Sequence, residues 1–388
     1  MNMDISKFTA QSPGQLIEIA GVPGVTHAYI PNPLPPDWGW PEPLWPLLLK
    51  AREELARLDG VGMHLPNPQL LLTPMQNREA QRSSSLEGTI ATPEQLALFE
   101  MAPTDSILEQ NALDAAHEVS NYGRALRFRA ETQEKLPLSL RLIRALHQIL
   151  LEGVRGSKAT PGEFRRSQVQ VGSNARYVPP PANVLPECLD RFEKYLHEPK
   201  KYDPLVEAFL VHYLFEAIHP FGDGNGRVGR LLLAITVQEW CGLSGQLLYM
   251  SAYFDEHKDE YIDRLFRVST HADWEGWIQF CLNGVIEQSV DTQQRCSQLL
   301  DLRESYKKRL ADKKASARLN LLMEGLFANP VATASGIMRT YHVSHPTARA
   351  DLNALVGLDI LKEVQLKQRR QKGYYCPEIL QITYEDSK

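Results

Sequence analysis

One stretch limits what this chain can fold into: His219–Arg230, HPFGDGNGRVGR. Twelve residues hold one imidazole, one carboxylate, one amide, four glycines and two guanidiniums. Apolar segments flank it on both sides. Upstream, Asp203–Ile218 is too long for an ordinary strand. Asp203 suits an N-cap and Pro204 the first helical position. Downstream, Leu231–Trp240 reads as a buried helix. The run is therefore a loop between two helices, and it opens the second.

That geometry suits an anion. The first N–H groups of a helix have no internal partner, and the helix dipole favours negative charge there. Gly222, Gly224 and Gly226 let a phosphate approach the backbone closely. Arg227 and Arg230, three apart on a helix, each offer forked donors to phosphate oxygens. Asp223 is a hard oxygen ligand suited to Mg²⁺ bridging such phosphates. His219 stands where a general base could take a proton from an incoming hydroxyl. Phe221 is expected to anchor the loop in the core.

Two other phosphate motifs fail here. Gly224–Gly229 matches G-x-G-x-x-G, but that fingerprint needs a preceding strand and an acidic residue about 20 positions on. Here a helix precedes, and Leu248-Tyr249-Met250 stands at the distant position. A P-loop is excluded because no Gly-Lys-[Ser/Thr] follows the glycines.

The run resembles the Fic family motif HPFx(D/E)GNGRxxR at every defined position. The resemblance implies transfer of AMP from ATP to a protein Ser, Thr or Tyr hydroxyl, with release of pyrophosphate. It makes His219 the base and Asp223 the metal ligand. Gly224, Asn225 and Gly226 become the anion hole, with Gly222 beside them. Arg227 would hold the α and β phosphates and Arg230 the γ-phosphate. The related Doc-type kinases typically carry Lys at the position of Gly226, so glycine favours AMP transfer over phosphorylation.

A second signature lies upstream. Ser83-x-x-x-Glu87-Gly88 matches the family's inhibitory motif (S/T)xxxE(G/N). Thr73 caps and Pro74 starts a helix over about 73–88, stopped at Gly88. In the family this Glu reaches the second motif arginine, here Arg230, and occupies the γ-phosphate site. Its place before the catalytic motif resembles the second Fic class, in which inhibition is intramolecular.

The alternation Gln168-Val169-Gln170-Val171, with Arg176–Pro181 returning, reads as a short β-hairpin. The resemblance makes it the flap that aligns a target segment by main-chain pairing. Tyr261 and Leu265, one turn apart, are candidates to border the adenine, with core packing as their alternative. His147 reads as a core residue or one supporting the site from behind, and Arg165 and Arg166 receive no chemistry. Residues 1–45 are proline-rich, with Trp38 and Trp40 available to pin an arm to its own domain. Glu304–Lys314 reads as a charged linker.

Composition bounds the rest. At 388 residues, 43% hydrophobic and 23% charged, the chain suits two or three globular domains. It has no 18-residue apolar run and no signal pattern at Met1, so a cytoplasmic location is expected. Five scattered cysteines argue against a disulfide framework or zinc site. The net charge is −5, yet residues 301–388 hold 15 Lys+Arg against 10 Asp+Glu. The basic excess therefore sits in the tail. There, three short helices and a basic hairpin resemble a winged helix-turn-helix. Arg349, Arg369, Arg370 and Lys372 are its candidate DNA contacts, with a protein-docking or dimerising module as the alternative.

The expected fold is mainly α: a Fic helical core with a short hairpin flap, plus a small C-terminal winged-helix domain. The expected domains are an N-terminal region at 1–110, a catalytic domain at 111–300 and the winged helix at 315–388. The function expected is a protein adenylyltransferase using Mg-ATP on a target protein or itself, restrained by Glu87. Removal of AMP by the same site is one alternative, and a DNA-binding regulator is another. A homodimer is expected at the family level only.

Overall fold

The computed structural model describes residues 3–20, 22, 24–63, 69–102, 108–133, 135–154, 160–172, 175–313, 315–366 and 371–385. The chain begins with β1 (Gly14–Glu18), β2 (His27–Pro31), α1 (Leu44–Met63), α2 (Gln69–Leu86), α3 (Pro93–Met101), α4 (Gln110–Thr132) and α5 (Leu140–Leu150). It continues with α6 (Leu185–His197), α7 (Pro204–Ile218), α8 (Asn225–Cys241), α9 (Ser251–Glu256), α10 (Lys258–His271) and α11 (Trp274–Asp312). It ends with α12 (Ala317–Ala328), β3 (Val331–Thr333), α13 (Ala334–Tyr341), α14 (His345–Val356), β4 (Lys362–Leu366), β5 (Gln371–Tyr375) and α15 (Pro377–Tyr384). The fold is thus mainly α. Contacts divide it into two compact units: residues 1–56 with 121–288, and residues 57–120 with 289–388. The boundaries fall inside α1, α4 and α11, not in loops.

In the first unit α7 is the central helix. From Leu205 to Ile218 every side chain but Glu216 is buried, as expected of a helix apolar all round. Asp203 caps it by accepting from Leu205 N at 2.9 Å, with Pro204 next. α8, α6 and α10 pack on it, and α5 packs on α8. Gly229 permits the α7–α8 approach, because a Cβ there would run into the Glu216 carboxylate. Behind α7, Trp277 Nε1 donates to Phe209 O at 3.1 Å. The proline-rich arm forms β1 and β2, which pair antiparallel from Gly14↔Pro31 to Glu18↔His27. That hairpin was not foreseen. Beyond it Trp38 packs 5.7 Å from Tyr202, whose hydroxyl donates to Pro36 O at 3.1 Å. The arm therefore lies on its own unit.

In the second unit α2 packs against α12 and α15, and α3 against β3 and β5. α2 starts at Gln69, upstream of the expected cap at Thr73, and holds Pro74 inside it. The strand order is β3-β5-β4, with β4 and β5 a hairpin from Lys362↔Tyr375 to Leu366↔Gln371. α13 and α14 pack on each other, and Ser344 caps α14. The expected linker Glu304–Lys314 is, to Asp312, the end of the 39-residue α11. The five cysteines are free thiols. Among the described residues no helix is long and apolar enough to cross a membrane.

Candidate functional site at the start of helix α8

The site begins where α7 ends. His219 is its C-cap and adopts a left-handed conformation, φ 50° and ψ 63°. This is unusual for a side chain with a Cβ, and it turns the imidazole out of the helix. A helix end leaves carbonyls without partners, and each of these finds one. Phe215 O accepts from His219 N at 3.0 Å. Glu216 O lies 3.4 Å from His219 Nδ1. Ala217 O accepts from the Tyr177 hydroxyl at 2.8 Å. Ile218 O and His219 O accept from Arg165, at 3.4 and 2.8 Å.

Arg165 is the hub of this end of the helix. Its guanidinium also donates to Ser167 O and Pro180 O, and its backbone N–H to Pro220 O at 2.9 Å. It thus ties both arms of the 167–180 segment to the turn that presents His219. Burial lowers its pKa to about 10, so it remains a cation at neutral pH, neutralised by carbonyl dipoles. The sequence offered no sign of this role, because its partners lie 15 and 54 positions away.

The loop Pro220–Gly224 is braced from beneath. Phe221 is fully buried and stacks on His147, with centroids 3.7 Å apart. Gly162 N donates to His147 Nδ1 at 2.8 Å. This fixes the tautomer, so Nε2–H donates to Asp223 O at 3.0 Å. Desolvation lowers the His147 pKa to about 4, and the ring stays neutral. The expected supporting role for His147 is met. Asn225 accepts from Phe221 N and donates to Phe221 O, both at 2.9 Å. Its side chain thus closes the loop, leaving its backbone N–H to open α8.

Gly224 is the α8 N-cap in a left-handed conformation, φ 77°. Gly226 is half-buried and Gly222 exposed. Arg227 and Arg230 follow within the first two turns, only 4% and 3% exposed. Asp223 lies across from Arg227 at 3.9 Å, with its side chain 51% exposed. The loop thus gathers His219, Asp223, the helix N-terminus and both arginines.

The other expected site residues are less uniform. Tyr261 is buried in an aromatic group with His212, Phe254 and Trp277. Its hydroxyl lies 2.8 Å from His212 Nε2, and His212 Nδ1 3.1 Å from Gly229 O. Tyr261 therefore supports α8 through His212, the core alternative among its two readings. Burial lowers the His212 pKa to about 3. Leu265 is partly buried one turn on. Among the described residues of the expected flap, Gln168, Val169 and Gln170 form no strand, and Val171 and Tyr177 make an antiparallel bridge. The Gln168 side chain donates to Pro179 O at 2.9 Å, so it helps hold the turn shut.

In the second unit Ser83 is fully buried on α2, while Glu87 is exposed one residue past its end. Gly88 follows at φ 85°, and Thr89 donates to Glu118 at 2.8 Å. Arg349 is exposed on α14. Lys372 pairs with Glu363 at 2.7 Å across the β4–β5 hairpin. Arg369 and Arg370 lie outside the described residues. A separate group, Glu256, His257 and Glu287, brings ligand atoms within 4.8 Å of one another and could hold a metal ion. It had not been anticipated.

The comparisons with known proteins agree with this geometry. The Fic/DOC family model matches residues 137–236, and the Fic/DOC family N-terminal model matches residues 45–130. The protein adenylyltransferase Fic of Drosophila grimshawi is 36% identical over 142 residues, 34% of this chain and 28% of the relative. Its Drosophila melanogaster counterpart is 34% identical over the same shares. The chain thus spans under a third of these relatives' length. A Fic family protein from Desulfovibrio desulfuricans has a similar fold, with TM-score 0.56 and 20% identity, covering 88% of this chain and 98% of that one. With the motif complete at the mouth of α8 and both models matched, the chain carries a Fic/DOC family domain at residues 137–236, preceded by that family's N-terminal region at 45–130.

Proposed function

We propose that the chain transfers AMP from ATP to a Ser, Thr or Tyr hydroxyl of a target protein or of itself, releasing pyrophosphate. One observation carries this reading. A left-handed turn presents His219 beside an open helix N-terminus with two buried guanidiniums behind it. The relatives' name, protein adenylyltransferase, supports it.

The chemistry follows from this chain's own residues. Glu216 O lies beside His219 Nδ1, so the proton sits on Nδ1 and Nε2 is left basic. His219 removes the proton of the target hydroxyl as it attacks the α-phosphate. The N–H groups of Asn225 and Gly226 at the start of α8, with that of the N-cap Gly224 once it is released from Asp223 Oδ1 at 2.7 Å, receive the transferring phosphate. Arg227 takes the α and β phosphates and Arg230 the γ-phosphate. Asp223 fits Mg²⁺: it is a half-exposed carboxylate on the loop, and this ion needs few protein ligands beside phosphates and water. When bound, the ion would screen the repulsion between nucleophile and phosphate charge. The segment 168–171 would align the target by main-chain pairing.

We propose that Glu87 restrains transfer by competing for Arg230. We read α12–α15 with the β4–β5 hairpin as a winged helix. Exposed Arg349 supports a DNA contact there.

The test is intact mass after incubation with Mg·ATP, wild type beside Glu87→Gly, with and without lysate. An AMP-sized gain in the mutant supports transfer and restraint together. A phosphate-sized gain would reverse the nucleotide orientation. No gain anywhere would shift weight to AMP removal, checked by AMP release from a modified target.

A further inference from the structure

The helix that carries Ser83 and Glu87 belongs to the same compact unit as the C-terminal module. α2 packs on α12 and α15, and a buried ionic chain reinforces that packing. Arg78, on α2, pairs with Asp291 of α11 at 3.2 Å. Asp291 pairs in turn with Arg295 at 2.8 Å. Arg295 donates to the carbonyls of Ile382 and Glu385 at 2.6 and 2.7 Å, closing the C-terminal end of α15. Arg78 and Arg295 are 8% and 2% exposed. One carboxylate thus joins two buried guanidiniums, one on the Glu87 helix and one holding the last helix of the chain. Asp291 is the carboxylate that the two guanidiniums share, so removing its charge weakens both ties at once. Pro74 forgoes a backbone bond early in α2, so α2 relies all the more on packing.

We propose that the C-terminal module is the seat of the inhibitory helix, and that the Arg78–Asp291–Arg295 chain sets how firmly Glu87 restrains AMP transfer. The inference rests on the activity proposed above. It assigns the module a regulatory task inside the chain: whatever loosens α15 or α12 loosens α2. The axis runs from the C-terminal end of α15, through Arg295 and Asp291, to α2 one turn before Ser83.

The test places Asp291→Asn and Arg78→Met in the full chain, each with Glu87 intact and with Glu87→Gly. Self-modification is read from intact mass, and hydrogen exchange of the α2 amides is read in parallel. Loosening the seat is expected to raise transfer on the order of tenfold where Glu87 is present. No further rise is expected where Glu87 is already Gly. The α2 amides should exchange faster in both backgrounds. If α2 loosens while the rate with Glu87 present stays at the wild-type level, and Glu87→Gly is active, the inference fails and the activity stands. If Glu87→Gly adds no AMP to itself or to any lysate protein, the activity reading fails, and the inference with it. Should Asp291→Asn melt below the assay temperature, Arg78→Met decides, since it removes one tie and leaves the Asp291–Arg295 pair intact.

Discussion

Arg165 Nε donates to the backbone carbonyl of His219 at 2.8 Å, from 54 positions earlier in the chain. The proposed base is thus held in place through its main chain. The left-handed turn at His219 costs on the order of 1–2 kcal/mol for a residue with a Cβ. Charge-assisted hydrogen bonds contribute about 1.5–3 kcal/mol each, so the Arg165 bonds suffice to hold the turn.

Arg165→Lys should therefore lower the transfer rate more than it lowers nucleotide affinity. An ammonium reaches one or two of the carbonyls but cannot span the set that the planar fork serves. The expected loss is about tenfold or more in kcat with KM for ATP nearly unchanged. Steady-state kinetics in a Glu87→Gly background checks it, and an equal loss in both constants would make Arg165 a general scaffold residue.

His219→Ala should keep nucleotide binding and lose transfer. General-base catalysis contributes roughly 10²–10⁴-fold, so label from α-labelled ATP should fall to near background. Label retained at the parent rate would remove His219 from proton transfer. Calorimetric titration with ATP shows whether the phosphate site survives.

Stability should fall with acid. His147 and His212 are buried and neutral, with pKa values lowered to about 4 and about 3 from 6.5. Below pH 6.5 the unfolded chain takes up protons at these positions that the folded chain refuses. Stability is therefore full above pH 6.5 and declines as pH falls towards 4. For His147 alone the loss amounts to on the order of 3 kcal/mol. Tm measured from pH 7.5 to 4.5 should show the slope. His147→Gln should flatten it, and an unaltered slope would mean other groups carry it.

Gly224→Ala should cost stability through backbone strain alone. A Cβ there would lie 3.5 Å from Leu151 and 3.6 Å from His147, which is ordinary contact, but φ is 77°. The expected cost is about 1–2 kcal/mol, read as a shift in denaturant midpoint. A null effect would show that the loop relaxes out of the left-handed conformation.

The motif His219–Arg230 was legible because its chemistry is local. A loop between two apolar helices, opening the second, follows from a proline start, a run of glycines and the spacing of two arginines. The structure keeps that loop and sets His147 beneath it. α13 and the β4–β5 hairpin also followed from short-range signals. What needed the third dimension was every contact made at long range. Arg165 and Tyr177 satisfy the α7 carbonyls from 54 and 40 positions away, and sequence spacing says nothing of such partners. The alternation at 168–171 suggested a hairpin, yet among the described residues only Val171 and Tyr177 pair, because Arg165 and Gln168 side chains take carbonyls that a ladder would use. The proline-rich arm paired as β1 and β2, since tertiary contacts to Val178 and Tyr202 outweigh its weak local preference. The grouping of α2 with the C-terminal helices was set by packing and one half-buried carboxylate, Asp291. Sequence fixes which residues can carry the phosphate chemistry; packing decides what holds them in place.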